Sequence, residues 1–119
     1  MLIGGAGADT LDGGSGNDTY SYGSIADSTS TAHDTVKSFD TGHLLNLSAI
    51  DANSGTAGND AFSFIGTGAF THSAGELRAW QSGSDWVVEG DTNGDGTADL
   101  VITVQVANGH ALVAADFAF

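Results

Sequence analysis

Asp9, Asp18 and Asp27 recur every nine residues, and each closes a glycine-rich phrase. The phrases read Gly4-Gly5-Ala6-Gly7-Ala8-Asp9, then Gly13-Gly14-Ser15-Gly16-Asn17-Asp18, then the degraded Tyr22-Gly23-Ser24-Ile25-Ala26-Asp27. Glycine at places one, two and four admits the left-handed and tight-turn conformations that other residues resist. Such turns aim carbonyl oxygens inward, and the aspartate at place six adds a carboxylate. A donor set made only of oxygen suits a hard cation, and calcium takes about 6–8 oxygens at roughly 2.3–2.6 Å. One short turn cannot supply that many; two stacked turns can. If two nonapeptides make one coil, turns eighteen residues apart share a side. Loop 4–9 should then stack on loop 22–27 and share an ion. Loop 13–18 should meet 31–36, where Asp34 is the one carboxylate. The candidate ligands of this region are Gly4, Gly5, Gly7, Asp9, Gly13, Gly14, Gly16, Asp18, Gly23, Asp27 and Asp34.

A second stretch carries its own signal. Asp91-Thr92-Asn93-Gly94-Asp95-Gly96-Thr97-Ala98-Asp99 matches the start of an EF-hand loop, with oxygen-bearing residues Asp91, Asn93, Asp95, Thr97 and Asp99 at alternate places and glycine at the sixth. The twelfth place is Ile102 rather than a bidentate glutamate. The flanks WVVEG and LVITV are strand-like, so the expected setting is a β-hairpin. The competing reading is a turn capped by its own Asp and Asn side chains without metal.

Catalytic chemistry finds little support. None of His33, His43, His72 and His110 is followed by the glutamate of a His-Glu-x-x-His zinc motif, no Gly-x-Ser-x-Gly elbow exists, and cysteine is absent. A serine–histidine–aspartate triad leaves no local signature, so a small stand-alone hydrolase stays among the readings. Each histidine is read as a surface or turn residue.

The elements that would position these loops are all β. Between successive turns lies an x-apolar-x segment, a brief strand with Leu11 or Tyr20 inward. Leu2, Leu11 and Tyr20 keep the same period, so residues 1–3 look like the tail of an earlier copy. Stacked coils of this kind make a parallel β-roll, whereas a flexible Gly/Asp linker would not keep an apolar residue in phase. After residue 35, strand-type alternation takes over at 35–39, 44–47, 61–65, 76–80, 85–89, 100–106 and 111–113, with no amphipathic helix of useful length. Phe62, Phe64, Phe70, Trp80, Trp86 and Phe117 are the expected core of an antiparallel β-sandwich capping the roll. The fold class is therefore all-β, with a roll at 1–35 and a sandwich at 36–119 forming one continuous unit.

Composition narrows the partners. The 119 residues carry two basic and fifteen acidic side chains, a net charge of −13, which opposes nucleic acid and anionic membranes. Thirteen of the acids are aspartate, a turn residue rather than a helix former, which places them in loops. No apolar run approaches the ~20 residues of a membrane span.

The nonapeptide resembles the RTX calcium-binding repeat of proteins exported by bacterial type I secretion. The stretches DSTSTAHDTVKSF, LLNLSAIDA, GNDAFSFIG, AFTHSAGELR, GDTNGDGTADLVI and ADFAF are similar to the C-terminal domain of serralysin-type metalloproteases, over nearly the whole chain. The resemblance implies that Asp27 and Asp34 help hold Ca2+, and that the module is non-catalytic, secreted, and preceded by a catalytic or passenger domain. It also implies that the tail Ala114–Phe119 serves the type I exporter as an uncleaved signal. The chain departs from the family at Ser38-Phe39, Gly42-His43-Leu44 and Leu45-Asn46-Leu47-Ser48, where carboxylates are lost, which argues against a calcium site near 38–46. A calcium-dependent carbohydrate-binding or adhesive module is the alternative.

Overall fold

The computed structural model describes residues 2–55, 58–107 and 109–119, so Met1 of the expected earlier repeat lies outside the described residues. The nonapeptides form β1 (Thr10–Asp12) and β2 (Thr19–Ser21), and in each only the middle residue is buried. A three-residue strand buries one side chain, so its stability depends on the rungs stacked against it. Leu2 pairs in parallel with Tyr20, one regular coil of eighteen residues. The next coil is longer. Leu11 pairs with Val36 in β3 (Asp34–Phe39), and Tyr20 with Leu45 in β4 (Leu44–Asn46). The seven additional residues are accommodated between 22 and 33, where Ile25–Asp27 winds into a 3-10 turn capped by Ser24, whose Oγ accepts the Ala26 amide at 3.1 Å. Parallel pairing therefore runs past residue 35, into β3 and β4.

The remaining strands complete two sheets. The larger has the order β1-β3-β8-β7-β6-β5, where β5 is Ser63–Phe64, β6 Glu76–Ser82, β7 Asp85–Asp91 and β8 Leu100–Val106. The smaller has the order β2-β4-β9, with β9 at Phe117–Ala118, and is parallel throughout. Among the described residues, antiparallel pairing is confined to β6-β7-β8, a meander joined edge-on to the roll through the parallel pair β3–β8. The cap thus extends the larger roll sheet instead of forming a separate pair of antiparallel sheets. The two sheets enclose one apolar core, to which Leu11, Val36, Ile102, Val104 and Leu77 contribute from one side and Tyr20, Leu45 and Phe117 from the other. Among the described residues no helix is long and apolar enough to cross a membrane.

Three expectations need correction. Residues 111–113 form no strand; the chain instead makes a 3-10 turn at Ala114–Asp116 that delivers Phe117 into β9. Phe70 and Trp80 lie outside the core. Alternation along β6 turns Leu77 and Ala79 inward and Arg78 and Trp80 outward, where the Arg78 guanidinium lies 5.9 Å from the Phe70 ring and 5.8 Å from Trp80. His43 is buried between Tyr20 and Phe39, so it is not a surface residue.

Candidate metal centre

The glycine turns repeat in detail. Gly5 and Gly14 have φ of 77° and 72°, and Gly7 and Gly16 have 98° and 93°, values that suit glycine. Gly4 and Gly13 are needed for a different reason: a Cβ on either would run into Asp9 Oδ2 or Asp18 Oδ2 respectively. Each aspartate carboxylate is folded back under its own turn.

Above Asp9 stands Asp34, fully buried at the start of β3. Its Oδ1 accepts the Asp9 amide at 2.8 Å, and the Thr35 amide donates to the Asp9 carbonyl at 2.8 Å. The Asp34 amide donates to Ser28 Oγ at 2.9 Å, and Ser28 Oγ donates in turn to the Val101 carbonyl, which fixes the strand against β8. Among the described residues the buried side-chain atoms with no well-formed hydrogen bond are Asp9 Oδ2, Asp18 Oδ2, Asp34 Oδ2, Tyr22 Oη and Arg78 Nε. The Tyr22 hydroxyl faces the Asp34 carboxylate, an interaction between their side chains that lowers the Asp34 carboxyl although its geometry is loose. Asp27 lies near enough for its charge to raise the Asp34 carboxyl, and its Oδ2 accepts the Gly23 amide at 3.0 Å; among the described residues Asp9, Asp27 and Asp34 do not reach the 4.8 Å mutual spacing found at Asp91, Asp95 and Asp99. Burial pushes the Asp34 carboxyl above the usual carboxylate range; the Asp9 amide and the Tyr22 hydroxyl oppose this, and the Asp9 and Asp27 charges add to it. Burial likewise raises the Tyr22 phenol, far above its ordinary value.

Leaving a buried acceptor unmade costs about 1–3 kcal/mol, and more for a charged group. Asp9 Oδ2 and Asp34 Oδ2, even with the Tyr22 hydroxyl as a neighbour of Asp34, are therefore costly to bury as charges unless a cation joins them. Their all-oxygen chemistry fits calcium. Asp34 thus answers Asp9 and not Asp18, contrary to the expected spacing, because the longer second coil shifts its register.

Asp18 meets His43 instead. The Asp18 amide donates to His43 Nδ1 at 3.1 Å, Asp18 Oδ2 lies 3.6 Å from the same nitrogen, and the Leu44 amide donates to the Asp18 carbonyl at 2.9 Å. His43, expected as a surface or turn residue within a stretch that loses carboxylates, was not expected to face Asp18. The signal was present: Val36 and Leu45 resume the nine-residue apolar phase after the longer coil, which puts Asp34 and His43 at the sixth place of their repeats.

The loop between β7 and β8 is a hairpin turn, as expected from its flanks. Asp91, Asp95 and Asp99 each bring one carboxylate oxygen within 4.8 Å of the others, a spacing that could hold a cation. Asp91 is fully buried, yet its Oδ1 accepts the Asn93 and Gly94 amides at 3.3 and 2.9 Å and its Oδ2 the Gly96 amide at 2.8 Å. The Asn93 and Asp95 side chains accept the Asp95 and Thr97 amides at 3.1 and 2.8 Å, and Asp99 Oδ2 accepts the Thr92 amide at 3.0 Å. Backbone donors already serve these carboxylates.

At the far end, Asp116 accepts His110 Nε2 at 3.0 Å and the Val113 amide at 2.8 Å, and His110 Nδ1 lies 3.4 Å from Thr41 Oγ1. This ties the last turn to the roll and positions Phe117. His33 and His72 are exposed.

A family model described as Peptidase M10 serralysin C terminal matches residues 1–119. A comparison with curated proteins finds no match. Among solved structures, the AlgE6R2 subunit of the Azotobacter vinelandii mannuronan C5-epimerase is similar at 26% identity and a TM-score of 0.63, over 99% of this chain and 69% of that one. The AlgE6R3 subunit of the same enzyme has 19% identity and a TM-score of 0.60; the match takes in 99% of this chain and 61% of that one, and it speaks for the fold alone.

Proposed function

The chain belongs to the Peptidase M10 serralysin C-terminal family, and from that premise we propose a non-catalytic RTX-type module that folds on binding calcium outside the cell. The observation that carries the proposal is the burial of Asp9 Oδ2 and Asp34 Oδ2, neither with a well-formed hydrogen bond, within reach of each other's charge and that of Asp27. Asp9, Asp27 and Asp34 would hold the ion with carbonyls of the turns built on Gly4, Gly5, Gly7 and Gly23. Bound calcium supplies the positive charge these carboxylates lack. The loop with Asp91, Asn93, Asp95, Thr97 and Asp99 is a weaker second site, since its carboxylates are already hydrogen-bonded.

The timing follows from affinity. Extracellular calcium modules sit near 10⁻⁴–10⁻³ M, so the turns stay open at cytosolic calcium and close outside. While the chain is open, the tail Ala114–Phe119 is free for the type I exporter. Once it is closed, Phe117 is buried and His110 holds Asp116. An attached catalytic or passenger domain would supply the activity of the secreted protein. Circular dichroism tests the core of this reading: the β signal should grow over millimolar calcium and vanish with EDTA, and an equal signal in both would refute it. Deleting 114–119 from a reporter fusion should abolish its appearance in the medium of an exporter-bearing strain.

One observation favours a second reading, calcium-dependent glycan binding: the 26%-identical structure is a subunit of an enzyme acting on mannuronan. A net charge of −13 opposes a polyanion unless calcium bridges the two. Retention on an alginate column in calcium, lost in EDTA, would support it.

A further inference from the structure

The third turn breaks a rule that the first two keep. Gly4 and Gly13 open their phrases because a Cβ there would meet the Asp9 or Asp18 carboxylate of the same turn. The third phrase opens instead with Tyr22. Room for it comes from the turn itself. Ile25–Asp27 winds into a 3-10 turn, and the Asp27 carboxylate reaches the second place, its Oδ2 accepting the Gly23 amide at 3.0 Å. The phenol ring can then enter the core: Tyr22 is 2% exposed, and its amide donates to the Asn46 carbonyl at 3.0 Å. Its hydroxyl ends within reach of three carboxylates. Burial raises the phenol most, and the charges of Asp34, Asp27 and Asp9 raise it further. A ring that served only to fill the core would do so better as phenylalanine, since a buried hydroxyl without a partner is costly. Asp34 Oδ1 accepts the Asp9 amide at 2.8 Å, and the Tyr22 hydroxyl is the side-chain donor facing the same carboxylate. A neutral donor suits a cation site. It steadies the carboxylate without cancelling the charge that attracts the ion, which a lysine there would do.

We propose that Tyr22 is a positioning residue of the calcium site: its hydroxyl donates to Asp34 and keeps that carboxylate facing the Asp9 turn, where the ion is taken up. The proposal rests on the calcium reading above. It adds a residue that the repeat phrase does not contain, since the first place otherwise belongs to glycine.

The test is calcium titration of the whole chain followed by circular dichroism, with terbium, a luminescent hard cation, as a second probe. Tyr22→Phe keeps the ring and removes the hydroxyl. It should raise the calcium midpoint of folding about tenfold, the low end for a hydrogen bond to a charged group. In an Asp34→Asn background the same substitution should move the midpoint far less, because the amide leaves the hydroxyl no charge to hold. Terbium emission excited through tyrosine should fall severalfold in Tyr22→Phe and persist in Tyr20→Phe, since the Tyr20 hydroxyl accepts the Gly13 amide at 3.0 Å in the neighbouring turn. A Tyr22→Phe midpoint equal to the parent's, or lower, would overturn the proposal. So would equal shifts in both backgrounds, or terbium emission unchanged by Tyr22→Phe. Failure of Tyr22→Phe to fold in saturating calcium would overturn it too, because steadying one carboxylate cannot account for the whole fold. A parent chain that responds to neither ion would instead sink the calcium reading itself, so the two failures are distinguishable.

Discussion

Asp34 and Asp91 are both fully buried aspartates at strand ends, yet their surroundings differ. Asp91 receives three backbone amides, from Asn93, Gly94 and Gly96, as the hairpin folds around its carboxylate. Asp34 receives one, from Asp9, and beyond it has only the loosely placed Tyr22 hydroxyl beside the Asp9 and Asp27 charges. Burial and charge are alike; the supply of donors is not. Where backbone donors are fewer, a cation would offset more of the cost of burial, and that distinguishes the turn stack from the hairpin.

The largest expected effect divides the two regions directly. EDTA should release amide exchange protection in 9–46 before it does so in 85–106. An ion that binds only the native state adds about 2.7 kcal/mol at a hundredfold excess over Kd. Simultaneous loss in both regions would mean that the meander cannot stand without the roll.

Next come the two aspartates themselves. Asp34→Ala should shift the calcium midpoint of folding tenfold or more. Asp91→Ala should cost about 2–3 kcal/mol in urea unfolding both with and without calcium, because hydrogen bonds to charged groups contribute about 1.5–3 kcal/mol. A larger calcium shift for Asp91→Ala than for Asp34→Ala would reverse the assignment of strong and weak sites.

A smaller effect appears in pH dependence. Asp34 has its folded pKa raised, chiefly by burial, so ionising it costs the calcium-free fold stability. That stability should return as pH falls from neutral through the raised value, while protons compete with calcium and move its midpoint upward. Glu76 has the opposite sign. The Thr71 hydroxyl and amide hold its carboxyl below the usual range, a contribution present above its unfolded pKa and lost as pH falls through the lower folded value. In EDTA, Asp34→Asn should therefore remove the acid-side gain and leave the Glu76 loss. An unchanged pH profile in that variant would show that Asp34 is not the titrating group. The smallest effect serves as the control: Asp85→Ala, at the edge of β7, should stay within about 0.5 kcal/mol and leave the calcium midpoint unmoved.

The repeating turns, their inward residues Leu11 and Tyr20, and the hairpin setting of 91–99 were legible in the sequence because each follows from short-range rules. Glycine permits positive φ, alternation selects one face of a strand, and aspartate caps its own turn. The partners of those turns were not legible. A coil lengthened by seven residues costs little entropy and can bulge at 22–33 without breaking the ladder, so spacing alone could not fix which turn stacks on which. Phe70 and Trp80 show the same limit: their apolar character suggested core, but the face of β6 was decided by which sheet it joined. The sequence by itself determined the all-β period, the acidic turns and their fitness for a hard cation, since these reside in neighbouring residues. Only the tertiary structure decided that Asp34 faces Asp9 and that His43 faces Asp18, because hydrogen bonds between strands are made across distances that the local pattern does not encode.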